Sequence, residues 1–182
     1  MQKEVIVAGF GGQGILFAGQ LLAYAAMDAG MEVTWFPSYG PEMRGGTANC
    51  TVILSNDEIG AAVVRSPSVA IVMNLPSLDK YEPLIKEDGL LVVDSSLVER
   101  KVERQDVNVV YVPATRIAEE LGNRRMANMV MLGATLKNFD LLPIETLENS
   151  LEEHLPERHR KLLPANIKAL EAGSTYMAEV AV

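Results

Sequence analysis

Cysteine, histidine and aromatic residues are scarce in this chain, and each scarcity excludes something. One cysteine, Cys50, stands among 182 residues. It rules out an internal disulfide, and alone it cannot supply the four thiolates of an iron–sulfur cluster. Cys50 falls in an expected strand, so a small buried hydrophobe is the first reading and a reactive thiol the second. The two histidines, His154 and His159, both lie in a polar C-terminal region, and a histidine-based zinc site is not expected. Aromatic residues make up 5% of the chain against 48% hydrophobic residues overall, which points to a core of aliphatic side chains. No uninterrupted apolar run reaches the roughly 18 residues of a membrane span. Positive charge is in deficit, since 16 Lys and Arg face 24 Asp and Glu for a net charge of −8. That balance argues against nucleic acid and against a cationic membrane patch. No Gly-x-Ser-x-Gly and no His or Cys cluster marks a covalent nucleophile. Lys3 and Glu4 precede a strand rather than a signal-peptide core, so a cytoplasmic location is expected.

What is present begins with Val5 to Ile15. An apolar run with β-branched residues ends at Ala8, Gly-x-Gly-x-x-Gly follows at Gly9, Gly11 and Gly14, and a long apolar segment comes next. The pattern reads as strand, glycine turn and helix, which is a Rossmann-like opening. The free N–H groups of such a helix favour an anion over the turn. The first strand is expected over residues 4–8 and the first helix over 12–28. A second strand follows over 32–36, then a loop over 37–46 rich in glycine and proline. Residues 47–54 and 58–64 read as an inserted β-hairpin. Strands are expected over 68–73, 90–93 and 107–112, with a helix over 77–86 and a charged surface connection over 98–106. Thr115 is placed to cap a short helix ending at Leu121, and Asn123 a longer one over 124–138. Pro143 opens another helix, and the last spans 164–178. The order predicts one α/β domain over residues 1–182: a Rossmann-like, largely parallel sheet with the hairpin inserted and a helical C-terminal part.

The functional signals compete. A dinucleotide site needs an acidic residue at the end of the second strand, for the ribose hydroxyls. That position holds Trp35-Phe36-Pro37, and Glu32 is at the wrong end, which counts against ordinary NAD binding. A P-loop is excluded because no Gly-Lys-Ser/Thr follows the glycines. In the second loop, Glu42 and Arg44 read either as a solvated pair or as a guanidinium fork beside the exposed backbone of Gly45 and Gly46, suited to phosphate or carboxylate. Tyr39 adds a flat amphipathic surface. Asp94 reads first as a turn cap and second as a ligand contact. Arg124-Arg125 and Arg158-His-Arg-Lys161 read first as solvated helix faces and second as phosphate or partner contacts.

Gly9-Phe-Gly-Gly-Gln-Gly14, Ser38-Tyr-Gly-Pro-Glu-Met-Arg-Gly-Gly46 and Asn128-Met-Val-Met-Leu-Gly133, in that order and spacing, resemble the gamma subunit of 2-oxoacid:ferredoxin oxidoreductases. The resemblance implies a subunit of a complex that converts a 2-oxoacid and coenzyme A to acyl-CoA and CO2 and passes two electrons to ferredoxin. It implies that thiamine diphosphate with Mg and the iron–sulfur clusters sit mainly on alpha, beta and delta subunits, with no cofactor on this chain. Gly9, Gly11, Gly12, Gln13 and Gly14 match the family's first loop. Ser38, Tyr39, Gly40, Pro41, Glu42, Arg44, Gly45 and Gly46 match its second, and Asn128 belongs to the third matching stretch. Both loops are expected at the carboxyl edge of the sheet, facing the other subunits near the active site. Coenzyme A access, closure of the thiamine cavity and plain subunit contact are the roles this leaves open. The alternatives are a subunit of indolepyruvate oxidoreductase and a stand-alone nucleotide-binding enzyme. Overall similarity favours 2-oxoglutarate or branched-chain oxoacids over pyruvate.

Overall fold

The computed structural model describes residues 2–39, 46–61 and 63–177. The strands are β1 (Gln2–Phe10), β2 (Glu32–Tyr39), β3 (Thr47–Ser55), β4 (Val69–Val72), β5 (Leu90–Asp94) and β6 (Asn108–Val112). The helices are α1 (Ile15–Asp28), α2 (Leu75–Tyr81), α3 (Ala114–Glu120), α4 (Ala127–Asn138), α5 (Ile144–His154) and α6 (Leu163–Thr175). Short 3-10 turns occupy Glu82–Leu84, Arg124–Met126 and Glu157–Leu162. Among the described residues no helix is long and apolar enough to cross a membrane.

All six strands join one mixed sheet in the order β2-β3-β1-β4-β5-β6. The pairings β1–β4, β4–β5 and β5–β6 are parallel. β3 lies antiparallel between β1 and β2. An inserted hairpin is therefore present, but its arms differ from the expected pair. β3 pairs with β2, from Glu32↔Ser55 to Tyr39↔Ala48, and the described part of residues 58–64 forms no strand. Val33, Thr34, Trp35 and Phe36 offer β-branched and aromatic surface to a neighbouring strand, whereas Gly60 and Ala61 offer almost none.

Strand alternation divides the core between the two faces of the sheet. Val5 and Val7 of β1 join Cys50, Val52 and Leu54 of β3 under α1, α4, α5 and α6. Ile6 and Ala8 point the other way, against Leu78 and Tyr81 of α2 and against Val98. α1 is apolar almost all round because β3 lies beneath it and α5 beside it. α4 and α6 cross with backbones in contact. A Cβ on Gly133 would run into the Leu170 carbonyl, and one on Gly173 into the Val130 carbonyl.

Local chemistry sets the element ends. α1 starts at Ile15 rather than Gly12, because Gly12 and Gly14 hold positive φ angles of 97° and 74° and cannot be helical. α2 begins earlier than expected, at Leu75, where the Asn74 side chain accepts from Ser77 N–H at 2.8 Å. Thr115 is inside α3 rather than capping it. Its hydroxyl donates to buried Asp94 at 2.6 Å, and Asp94 also accepts from Ser96 N–H at 3.0 Å. Asp94 thus closes the turn after β5 and ties it to α3. Asn123 does cap its turn, accepting from Arg125 N–H at 3.1 Å. The charged connection over 98–106 is anchored by Glu82, whose carboxylate accepts from Arg100 at 2.7 Å and from the N–H groups of Glu103 and Arg104 at 2.5 and 3.1 Å. Burial of Glu82 raises its pKa. The Arg100 bond and the two backbone donors outweigh that and leave its carboxyl below the ordinary 4.5.

Candidate functional site

The carboxyl ends of β1 and β4 form a topological switch point. β1 sends its chain over one face through α1, and β4 sends its own over the other through α2. Open α/β sheets place ligands in such a crevice. The turn after β1 fills it with glycine. At Gly9 a Cβ would run into the Gln13 side chain and lie 2.8 Å from Ile15 Cδ1. Gln13 fixes the turn. Its Oε1 accepts from Phe10 N–H at 2.6 Å, and its Nε2 donates to the Met73 carbonyl at 3.1 Å, just past the end of β4. The Gln13 amide is therefore used to pin the turn across the switch point.

Gly14 caps α1 with φ 74° and no side-chain partner for the first-turn N–H groups. No acidic side chain occupies that turn, so the turn itself supplies no negative charge to its positive end. Asn128, at the start of α4, donates from Nδ2 to the Gly14 carbonyl at 3.1 Å, and a Cβ on Gly14 would strike that amide. Asn128 thus positions the glycine turn from a helix 114 residues away in sequence.

The described ends of the two loops meet. Gly11 N–H donates to the Gly46 carbonyl at 3.0 Å, which closes the turn after β1 onto the start of β3. Ser38 is exposed opposite Asn49 on β2, and the Tyr39 backbone pairs with Ala48. Gly40, Pro41, Glu42, Arg44 and Gly45, with the Tyr39 side chain, lie outside the described residues.

Three cavities converge on Gly12. One of about 550 Å³ is walled mainly by carbon, from Phe10, Ile15, Leu16, Phe17 and Ala48. A second, of about 380 Å³, opens over Gln13 and Met73 towards Thr115, Arg124 and Arg125. A third, of about 430 Å³, lies between Gly14, Arg125, Arg158 and His159. Two basic spots that read in the sequence as solvated faces therefore send Arg125, Arg158 and His159 to the glycine turn. Their spacing along the chain gives no sign of this, because the 3-10 turns before α4 and before α6 come to one cavity only in the fold.

The chain's other reactive groups lie apart. Cys50 is buried beneath α1, and burial pushes its thiol up to about 11, so it is an inert core residue. One thiol in that state does not fit an iron–sulfur cluster. Exposed Asp28, Glu153 and His154 bring ligand atoms within 4.8 Å of one another. His154 already bonds Asp28 at 3.1 Å and stacks on Tyr24 with ring centroids 4.4 Å apart, which fastens α5 to α1.

Comparison with known proteins follows the same boundaries. Residues 4–176 match the family model for pyruvate ferredoxin/flavodoxin oxidoreductase. The chain is 36% identical over 176 residues to the ketoisovalerate oxidoreductase subunit VorA of Methanothermobacter marburgensis, covering 96% of this chain and 36% of that one. It thus spans about a third of the length of that relative. It superposes with a TM-score of 0.83 on the gamma subunit of a keto/oxoacid ferredoxin oxidoreductase from Geobacter sulfurreducens, at 29% identity, with 95% of this chain and 94% of the other covered. A 2-oxoglutarate:ferredoxin oxidoreductase from Magnetococcus marinus, solved with 2-oxoglutarate, coenzyme A and succinyl-CoA bound, gives a TM-score of 0.84 at 26% identity, with 95% of this chain and 30% of the other covered.

Proposed function

The chain belongs to the pyruvate ferredoxin/flavodoxin oxidoreductase family, and from that premise we propose that it is the gamma subunit of a 2-oxoacid:ferredoxin oxidoreductase. In this reading the complex converts a 2-oxoacid and coenzyme A to acyl-CoA and CO2 and passes two electrons to ferredoxin. The chain acts as one domain, borders the active site and has no activity alone. A single buried thiol does not fit an iron–sulfur cluster, which supports assigning the clusters, with thiamine diphosphate and Mg, to alpha, beta and delta subunits. When bound there, those groups supply the decarboxylation and the electron path.

The observation that carries the reading is the closure of one glycine loop onto the other through Gly11 and Gly46. It joins the backbone of the two loops at the switch point, beside the N-terminus of α1, whose first turn carries no acidic residue. That arrangement suits a large polyanionic cosubstrate or a neighbouring subunit. The length comparison supports the partner assignment. In VorA a segment like this chain takes up about a third of the polypeptide, so a further two-thirds travels covalently with it. Identity with a ketoisovalerate subunit and structural likeness to a 2-oxoglutarate enzyme favour a branched-chain oxoacid or 2-oxoglutarate as substrate.

The roles proposed for the loop residues are contact with coenzyme A and with the other subunits. Gly9, Gly11, Gly12, Gln13 and Gly14 shape the first loop, Asn128 holds it, and Ser38, Tyr39, Glu42, Arg44, Gly45 and Gly46 form the second. Copurification from the native source, followed by an oxoacid panel with ferredoxin or viologen as acceptor, tests the function. Absence of partner chains, or turnover with arylpyruvates only, would overturn it. Arg44→Ala in the assembled complex tests the loop. Turnover and coenzyme A dependence unchanged from wild type, with normal assembly, would refute the ligand role.

A further inference from the structure

We propose that Asp28, Glu153 and His154 form a structural site for a divalent cation of the zinc class, bridging the carboxyl ends of α1 and α5. The three side chains bring their ligand atoms within 4.8 Å of one another. They offer one imidazole and two carboxylates, a mixed set that suits zinc and its first-row neighbours. Magnesium and calcium take oxygen ligands instead. A tetrahedral zinc ion holds neighbouring donor atoms about 3.4 Å apart. His154 Nε2 already lies 3.2 and 3.1 Å from the two Asp28 carboxylate oxygens, and a rotation of the exposed Glu153 side chain closes the set. The imidazole is held for this role by a second contact. It stacks on Tyr24 with ring centroids 4.4 Å apart and planes 15° apart, which fixes the ring with Nε2 at Asp28.

The electrostatics of this corner point the same way. α1 ends at Asp28 and α5 at His154, so the negative ends of two helix macrodipoles meet there. Neither helix contains a lysine or an arginine. Among the described residues Asp28 pairs only with His154, and Glu153 has no cationic partner. An acidic side chain at a helix carboxyl end is unfavourable by itself. Two of them, converging from two such ends beside an imidazole, are arranged for a cation from solution. Sequence spacing does not show the site, because Asp28 stands 126 residues before His154. α1 is 14 residues long, or about 20 Å, so the site lies at the end opposite the glycine turn. Zinc has no redox chemistry. The ion therefore acts as a staple that fixes the far end of α1 to α5, separate from whatever the glycine turn binds.

Metal titration of the full chain, free of any affinity tag and stripped with EDTA, tests the site. Zinc is titrated in competition with a chromophoric chelator, and cobalt(II) serves as a spectroscopic probe of the coordination. One equivalent of zinc per chain is expected, and an excess of magnesium should not displace it. Because the bridge exists only in the folded chain, zinc should raise Tm in a concentration-dependent way. Glu153→Gln keeps the Asp28–His154 pair and so tests the site without breaking the helix contact. Changing a group behind a metal ligand already costs about tenfold or more in affinity, and this loss of a ligand is expected to weaken zinc binding by at least that factor. His154→Gln should abolish binding together with the cobalt bands. His159→Gln removes the only other histidine and is expected to bind zinc as the wild type does. A wild-type chain that binds no zinc would overturn the proposal. So would wild-type affinity in Glu153→Gln and His154→Gln, or loss of binding in His159→Gln. Zinc bound without a rise in Tm would reduce the site to an adventitious ion only and overturn the staple.

Discussion

Replacing Gly14 by alanine perturbs the point on which the candidate site turns, and the structure says how the damage should divide. A non-glycine residue held at φ 74° costs about 1–2 kcal/mol. The new Cβ also enters the space of the Asn128 amide, and overpacking of that kind adds about 1–3 kcal/mol. Asn128→Ala alone removes one hydrogen bond worth about 0.5–1.5 kcal/mol. The Gly14 carbonyl is not orphaned, because Ala18 N–H still donates to it at 3.0 Å. In the double variant the collision disappears, and only the backbone strain and the lost bond remain. The two changes should therefore fall short of additivity by about 1–3 kcal/mol, above the roughly 0.5 kcal/mol scatter of independent sites. A double-mutant cycle by chemical denaturation measures this directly. Additive losses would refute the claim that Asn128 is what the glycine at position 14 accommodates.

Further outcomes follow from the same geometry. The depressed pKa of Glu82 makes its contribution to stability complete above the ordinary 4.5 and lost as pH falls from there through the lower folded value. Glu82→Gln should cost about 1–3 kcal/mol at pH 7, flatten that acid limb and speed amide exchange at Glu103 and Arg104. An unchanged acid limb would contradict the assignment. Gly133→Ala gains up to about 1 kcal/mol of helix propensity but forces α4 and α6 apart. A net loss of about 1–3 kcal/mol is expected, and a raised Tm would show that the helices do not touch there. The Cys50 thiol, at about 11, should resist thiol reagents at pH 8 in the native chain and react fully in denaturant. Fast native labelling would mean that it is exposed.

The sequence by itself determined the α/β class, the glycine turn after the first strand and the inertness of Cys50. Those features depend on local chemistry: alternating β-branched residues, glycines where φ must be positive, and a thiol in an apolar strand. It also identified the pairing of two glycine loops, through a motif match. The arms of the inserted hairpin needed the fold, because β3 chooses between β2 and residues 58–64 by how much side-chain surface each offers it. Only the tertiary structure gave Gln13 its bond to Met73 and Asn128 its bond to Gly14, which span 60 and 114 residues. It alone set Arg125 and Arg158 on one cavity. Charge on a helix face looks alike whether water or a neighbouring loop lies opposite, and sequence spacing carries no information about which helix ends the sheet will bring together.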